Sequence, residues 1–280
     1  MKGQRKLLLL LPAFLLLLTG CGQKTLPDLS QMGKLQVISR EDGSGTKAEF
    51  ENLVDTDASG TKEIAASTED MIQQVEAAKD AIGYVAYSAL QESAQIKVLA
   101  IDGSFPTLQT IEENKFPLTR DYYVAYPDTL SAVTSDFLYY VRTKGQEIVG
   151  KYCVPVQKTE TFLSDKSAGM ILIHGSSSMA PMMQELADDY EKQNPNAKIE
   201  IEVSDSTQGI NDVLQNRCDL AMSSRSLKAY EKELLQTQVF GRDAIAVIVN
   251  TENPLEELSK KDIQKIYNHK YENWQDLNNR

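Results

Sequence analysis

Apolar positions recur in two rhythms between residue 34 and the C-terminus. Short runs rich in Val, Ile and Tyr, at 35–39, 82–87, 96–101, 121–126, 171–174, 199–204, 219–223 and 244–249, have the length and composition of buried strands. The intervals carry helical spacing. Met179, Met182, Met183, Leu186, Ala187 and Tyr190 place an amphipathic helix over 178–192. Val133, Phe137, Tyr140, Val141, Ile148 and Val149 form a second stripe over 131–150, interrupted near Gly145. Ser67 followed by Asp70 predicts a capping box that opens a helix over 68–78. A further short helix is expected at 261–268. Strands alternating with helices give an α/β fold with largely parallel sheets. The stretch 158–169 is polar apart from Phe162 and Leu163 and reads as a linker.

The N-terminus breaks this pattern. Lys2, Arg5 and Lys6 precede an apolar run from Leu7 to Leu18 that is interrupted by Pro12. The run falls short of the roughly 20 residues needed to span a bilayer and has the make-up of an export signal. Leu18-Thr19-Gly20-Cys21 resembles the lipobox of bacterial lipoproteins. The resemblance implies cleavage after residue 20 and diacylglycerol on Cys21, so that 1–20 is a signal peptide and 21–33 is the lipidated Cys with a polar tether. A lipid anchor on the extracytoplasmic face of the cell membrane follows, since two or more acyl chains hold where one is marginal. Cys153 and Cys218 remain. Their core-like neighbours favour two buried free thiols, and a disulfide stays open outside the cytosol.

Charge narrows the function. Lys and Arg total 29 against 40 Asp and Glu, a net charge of −11, and the basic residues of 1–20 make the remaining body more acidic still. Nucleic-acid affinity rests on neutralising phosphates with Lys and Arg, so no nucleic-acid partner is expected. Two His and three Cys leave little for a zinc site, and no metal or cofactor is expected.

Four clusters of small polar residues follow strands. They are Arg40-Glu41-Asp42-Gly43-Ser44-Gly45-Thr46, Gly175-Ser176-Ser177-Ser178, Ser204-Asp205-Ser206-Thr207 and Ser223-Ser224-Arg225. A helix N-terminus leaves N–H groups unpaired and carries partial positive charge, which makes it a ready anion site at the C-terminal edge of a sheet. Each cluster, taken alone, also serves as a plain N-cap.

These residues carry a resemblance. SREDGSGTKAEF at 39–50 resembles the SRxxGSGT signature of the phosphate-binding proteins that serve phosphate ABC transporters. AIGYVAYSAL at 81–90, IDGSFPTLQTI at 101–111 and FPLTRDYYVAY at 116–126 continue that family's pattern, and ILIHGSSSMAPMM, SDSTQGI, DLAMSSRSLK and DAIAVIVNTENP follow in family order. The resemblance implies a two-lobed periplasmic-binding-protein type II fold with the ligand cleft between lobes. The usual order of the halves is reversed here, which implies a circular permutation. One lobe would comprise 34–115 plus 246–280 and carry the SGT loop. The other would be continuous over 116–245 and carry the GSSS and DST loops, with 158–169 as the linker.

By motif, the resemblance implies phosphate contacts from Arg40, Ser44, Gly45 and Thr46 on one lobe and from Ser177, Ser178, Ser206 and Ser224 on the other. Some members carry Asp where Ser224 stands, accepting the proton of hydrogen phosphate. Asp205 is the nearest substitute, or simply a helix cap. The expected protein is a monomeric receptor that delivers inorganic phosphate to ABC permease subunits and performs no catalysis. Two alternatives are a receptor or sensor for another oxyanion, such as sulfate or molybdate, and a serine hydrolase suggested by His174 beside the Ser run. The latter lacks a G-x-S-x-G elbow.

Overall fold

The computed structural model describes residues 27–90 and 95–279; the expected signal segment and Cys21 lie outside the described residues. In chain order the first half is β1 (Gln36–Arg40), α1 (Gly45–Val54), β2 (Glu63–Ala65), α2 (Thr68–Glu76), β3 (Ala81–Ala86), β4 (Ile96–Val98), β5 (Ala100–Ile101) and α3 (Leu108–Glu112). The chain continues with β6 (Thr119–Tyr126), α4 (Ala132–Arg142), α5 (Gln146–Tyr152), β7 (Val154–Pro155), β8 (Gly169–Ser176), α6 (Ala180–Gln193), β9 (Ala197–Ser204), α7 (Ser206–Leu214), β10 (Leu220–Ser223) and α8 (Ala229–Leu234). It closes with β11 (Gln236–Asn250), β12 (Glu257–Leu258) and α9 (Lys260–Tyr267).

One sheet runs through the molecule in the order β2-β1-β3-β11-β6-β10-β8-β9. The outer pairs β1–β2, β1–β3, β8–β10 and β8–β9 are parallel, but the centre is not. β6 and β11 are antiparallel to their neighbours, so the expectation of a largely parallel sheet is corrected to a mixed one. β11 is the reason. Its first part, Gln236–Ala244, pairs with β6, and its second part, Ile245–Val249, pairs with β3. One strand thereby belongs to both lobes. The strand expected over 244–249 is only its apolar end; the preceding QTQVFGRD is a polar stretch with a register shift between Val239 and Gly241, which hides the strand rhythm.

Each lobe buries apolar side chains on both sheet faces, as period-two alternation requires. In β11, Val247 and Val249 face the core made with Phe50, Tyr84, Ile263, Tyr267 and Trp274, whereas Ala246 and Ile248 face Met71 and Val75 of α2. In the second lobe, Leu220 and Met222 join Phe137, Tyr140, Met183 and Tyr190, and Ala221 faces Ile210 and Val213 of α7. The stripe expected over 131–150 is two helices, α4 and α5, parted at Thr143–Gly145. Ser67 caps α2 by accepting from Asp70 N, but Asp70 Oδ2 accepts from Ala66 N rather than from the cap residue, so only half of the expected box forms.

Two details alter the expected tether and linker, and a third concerns the cysteines. Leu29 and Met32 are buried in the first lobe's core, so the tether read over 21–33 is docked by residue 29. The segment 158–168 has no regular structure, yet Phe162 inserts among Tyr139, Tyr140 and Tyr190 and Ser164 donates to Asp136, so the linker is pinned to the lobe. Cys153 and Cys218 are both free and buried. Burial pushes the Cys218 thiol up to about 12, with the Asp212 carboxylate adding to the effect.

Candidate anion-binding site

The loops singled out in the sequence converge where the lobes meet. β1 ends at Arg40 and α1 begins at Gly45, with Ser44 as N-cap accepting from Lys47 N at 3.3 Å. The first-turn N–H groups of α1 have no intrahelical acceptor. Gly43 adopts φ +94°, a left-handed conformation that favours glycine, and turns the chain from strand into helix. Gly45 is required by proximity: a Cβ there would lie 2.3 Å from Ser206 Oγ and 2.6 Å from Ser224 Oγ of the opposite lobe.

Hydroxyls bridge the cleft directly. Thr46 Oγ1 and Ser178 Oγ are 2.9 Å apart, and Arg40 Nη2 donates to Ser177 Oγ at 3.2 Å. Within the second lobe Ser224 N donates to Ser206 Oγ at 3.0 Å, and Ser176 Oγ donates to Ser224 Oγ at 2.9 Å. Arg40, Ser44, Thr46, Ser178, Ser206 and Ser224 are all buried, whereas Ser177 is partly exposed. The structure thus brings together Arg40, Gly45, Thr46, Ser177, Ser178, Ser206 and Ser224. Ser44 stands at the cap behind them.

Asp205 is placed differently. It is the N-cap of α7, its Oδ1 accepting from Gln208 N at 2.8 Å. Its carboxylate also lies against Gly43, where a Cβ would come within 2.6 Å of Oδ1. The adjacent Thr207 donates through both N and Oγ1 to Gly43 O, at 3.2 and 3.0 Å, tying the lobes at the rim.

Two site residues escaped the sequence reading. Thr68, the first residue of α2, places Oγ1 3.2 Å from both Ser177 Oγ and Ser178 Oγ and accepts from Arg40 Nη1 at 3.1 Å. It follows the cap Ser67 directly, at the first position of α2. Arg120 in β6 donates to Thr46 Oγ1 at 2.9 Å and to Ser224 O at 3.1 Å, reaching both lobes from the cleft floor. A lone Arg within an apolar strand was the available signal.

Each guanidinium at the site has its own carboxylate. Arg40 meets Glu41, Arg120 meets Asp243, and Arg225 meets Glu231 through two bonds of 2.8 and 2.9 Å. Cationic charge is therefore neutralised locally, and what faces the cleft is a set of hydroxyl and N–H dipoles. Tyr84 supports the arrangement by accepting from Arg40 N at 3.2 Å. Burial raises its phenol's pKa, so it is neutral. A cavity of about 680 Å³ opens beside Thr68 and Ser177. His174 points elsewhere: Nδ1 is 2.9 Å from Asp212 and Nε2 is 3.5 Å from Glu202, so both ring nitrogens face carboxylates rather than a serine. Among the described residues no group of three or more His, Cys, Asp or Glu is placed to hold a metal, and no helix is long and apolar enough to cross a membrane.

Comparisons agree with this geometry. The chain matches the PBP superfamily domain (PBP-like 2) over residues 23–144 and 160–280. It is 32% identical over 272 residues to the phosphate-binding protein PstS 2 of Streptococcus pneumoniae serotype 4, with 92% of each chain covered. The phosphate-binding protein PstS of Staphylococcus haemolyticus aligns at 31% identity over 112 residues, 37% of this chain and 35% of that one. The crystal structure of a phosphate ABC transporter phosphate-binding protein from Streptococcus pneumoniae superposes with a TM-score of 0.70 at 30% identity, covering 88% of this chain and all of that one. A two-lobed α/β sheet, small-residue loops meeting in the cleft and relatedness over nearly the whole length lead to one assignment: the chain belongs to the PstS family of phosphate-binding proteins, within the PBP superfamily.

Proposed function

We propose that this protein binds inorganic phosphate between its lobes and hands it to the permease of an ABC transporter, without covalent chemistry. The observation that carries the reading is the convergence of buried donors from both lobes: Thr46, Ser178 and Ser206 at the N-terminal ends of α1, α6 and α7, with Arg40 at the end of β1 and Ser224 just after β10. An oxyanion would replace hydroxyl–hydroxyl bonds with charge-assisted ones in a dry site, where they are strong. Binding therefore couples to hinge opening and closure of the lobes.

In this reading Cys21 bears the lipid anchor, and the monomeric body works at the extracytoplasmic face of the membrane. The halves are circularly permuted relative to the commoner family order. Residues 33–35 and 272–274 lie side by side, with Leu35 N bonded to Glu272 O, Trp274 N to Gly33 O and a bridge between Lys34 and Asn273. In a permuted chain the original termini are joined, here through 158–169, and the new ends stay neighbours, as these segments are. The partial alignment with the staphylococcal relative, over 37% of this chain, supports the same reading, because a collinear comparison can follow only one of two exchanged halves.

One observation favours a broader oxyanion range. By the resemblance, Ser224 stands where some members carry Asp; among the described residues its Oγ meets the hydroxyls of Ser176 and Ser206 and no carboxylate. Titration calorimetry of the purified protein, stripped of ligand by unfolding and refolding, decides between the readings. Saturable one-to-one phosphate binding at roughly micromolar Kd or tighter, about −8 kcal/mol, undisturbed by excess sulfate, is expected. Equal competition by sulfate would replace phosphate with a general tetrahedral oxyanion. No heat from either would overturn both.

A further inference from the structure

Hydrogen positions at the cleft can be counted. Arginine only donates, and a hydroxyl has one hydrogen and two acceptor sites. Ser177 Oγ accepts from Arg40 Nη2 at 3.2 Å and from Thr68 N at 3.4 Å, which fills it. Its own hydrogen is then directed to Thr68 Oγ1, 3.2 Å away. Thr68 Oγ1 also accepts from Arg40 Nη1 at 3.1 Å, so its hydrogen passes to Ser178 Oγ at 3.2 Å. Ser178 in turn donates to Thr46 Oγ1 at 2.9 Å, which is already an acceptor for Arg120 Nη1 at 2.9 Å. The chain Ser177, Thr68, Ser178, Thr46 thus runs one way, fed by a guanidinium at each end. It leaves the Thr46 hydrogen as the donor without an acceptor among the described residues.

Thr68 is the hinge of this order. It is the residue at which the Arg40 guanidinium and two serines of the opposite lobe meet on a single oxygen. Remove that oxygen and Arg40 Nη1 loses its acceptor, Ser177 loses the target of its hydrogen, and the Ser178–Thr46 pair is free to reverse. We propose that Thr68 is a positioning residue of the anion site: it orients Arg40 and fixes the hydroxyl hydrogens so that the site presents donors to a ligand that offers only acceptors. This rests on the phosphate reading above.

The test uses Thr68→Val, which keeps the shape and removes the hydroxyl, with Thr68→Ala as a second variant should valine fold poorly. Inorganic phosphate is titrated calorimetrically into wild type and variants. Loss of the hydroxyl is expected to weaken binding about tenfold or more, the scale of one buried hydrogen bond left unmade. Thr68→Ser is expected to restore affinity to within about threefold. A structural role alone would not produce coupling to Arg40, so Arg40→Lys and the Arg40→Lys/Thr68→Val double variant complete the cycle, with the double variant expected to bind no more weakly than Arg40→Lys alone. Wild-type binding with an unimpaired valine or alanine variant overturns the role of Thr68 and leaves the phosphate reading standing. So does an additive cycle. Failure of wild type to bind phosphate overturns both.

Discussion

Arg120 and Asp243 face each other as register partners on β6 and β11, with Nη2 3.2 Å from Oδ2 and both side chains buried, just before β11 passes from one lobe to the other. Asp243 also accepts from Ser88 N of the first lobe at 2.9 Å, and Arg120 reaches Thr46. Removing one partner strands the other's charge in the interior. Asp243→Ala is expected to cost about 3–5 kcal/mol of stability in urea unfolding. The apolar pair Arg120→Met with Asp243→Leu should cost much less, while weakening phosphate binding through lost support of Thr46. Equal destabilisation by the single and double changes would contradict a charge-burial account.

Gly45→Ala probes closure. The added methyl meets Ser206 and Ser224, which are fully buried and have little room to yield. Alanine suits a first helical turn better than glycine, so folding stability should hold. Phosphate affinity is expected to fall by about tenfold or more, near 1.4 kcal/mol. Small-angle scattering should show no compaction on adding phosphate. Wild-type affinity in this variant would mean that the lobes never come as close in the bound form.

The cap role of Asp205 and the ligand role expected of it separate chemically. Asn caps helices as well as Asp, so Asp205→Asn keeps the bond from Gln208 N and removes the charge. Discrimination against sulfate is expected to fall more than phosphate affinity. Asp205→Ala should in addition lose about 1 kcal/mol of stability. Unchanged selectivity in competition titrations would reduce Asp205 to its cap.

Glu231 sets an acid-side dependence. Burial by itself raises its pKa, but the bonds from Arg225 and from Lys228 N, with the Arg225 charge, outweigh burial and hold the carboxyl below its usual value. A depressed folded pKa contributes stability that is present above the unfolded value of about 4.3 and is lost as pH falls through the folded one. Glu231→Gln should therefore flatten part of the fall in unfolding free energy below about pH 4.3. An unchanged acid slope would assign that dependence to other carboxylates, such as Asp212, whose pKa burial likewise raises and bonds from His174 and Arg217 lower.

Legibility in the sequence followed the range of each interaction. α6 was readable because Met182, Met183, Leu186 and Tyr190 repeat at helical spacing, and the site loops were readable because an anion site at a helix start has a local signature. Arg120 and Thr68 were not. Their partners lie far along the chain: Asp243 is 123 residues from Arg120, and Ser177 is 109 residues from Thr68. The early part of β11 was lost for a different reason. Its register shift brings Phe240 and Gly241 inward in succession, and the buried Asp243 follows where periodicity expects an apolar residue.

The continuity of β11 has a mechanical consequence. The chain passes between lobes at two points, near Leu118 and at Ala244–Ile245, and these are bonded to each other through Ile245 N and Leu118 O at 2.8 Å. The lobes are therefore joined by a short ladder rather than by two loose tethers. A two-stranded ladder resists sliding of one strand past the other, yet it can bend and twist with its bonds kept, so the connection can serve as a hinge. Capture and release would then follow a single reproducible path, returning the same two rims to the same register each time.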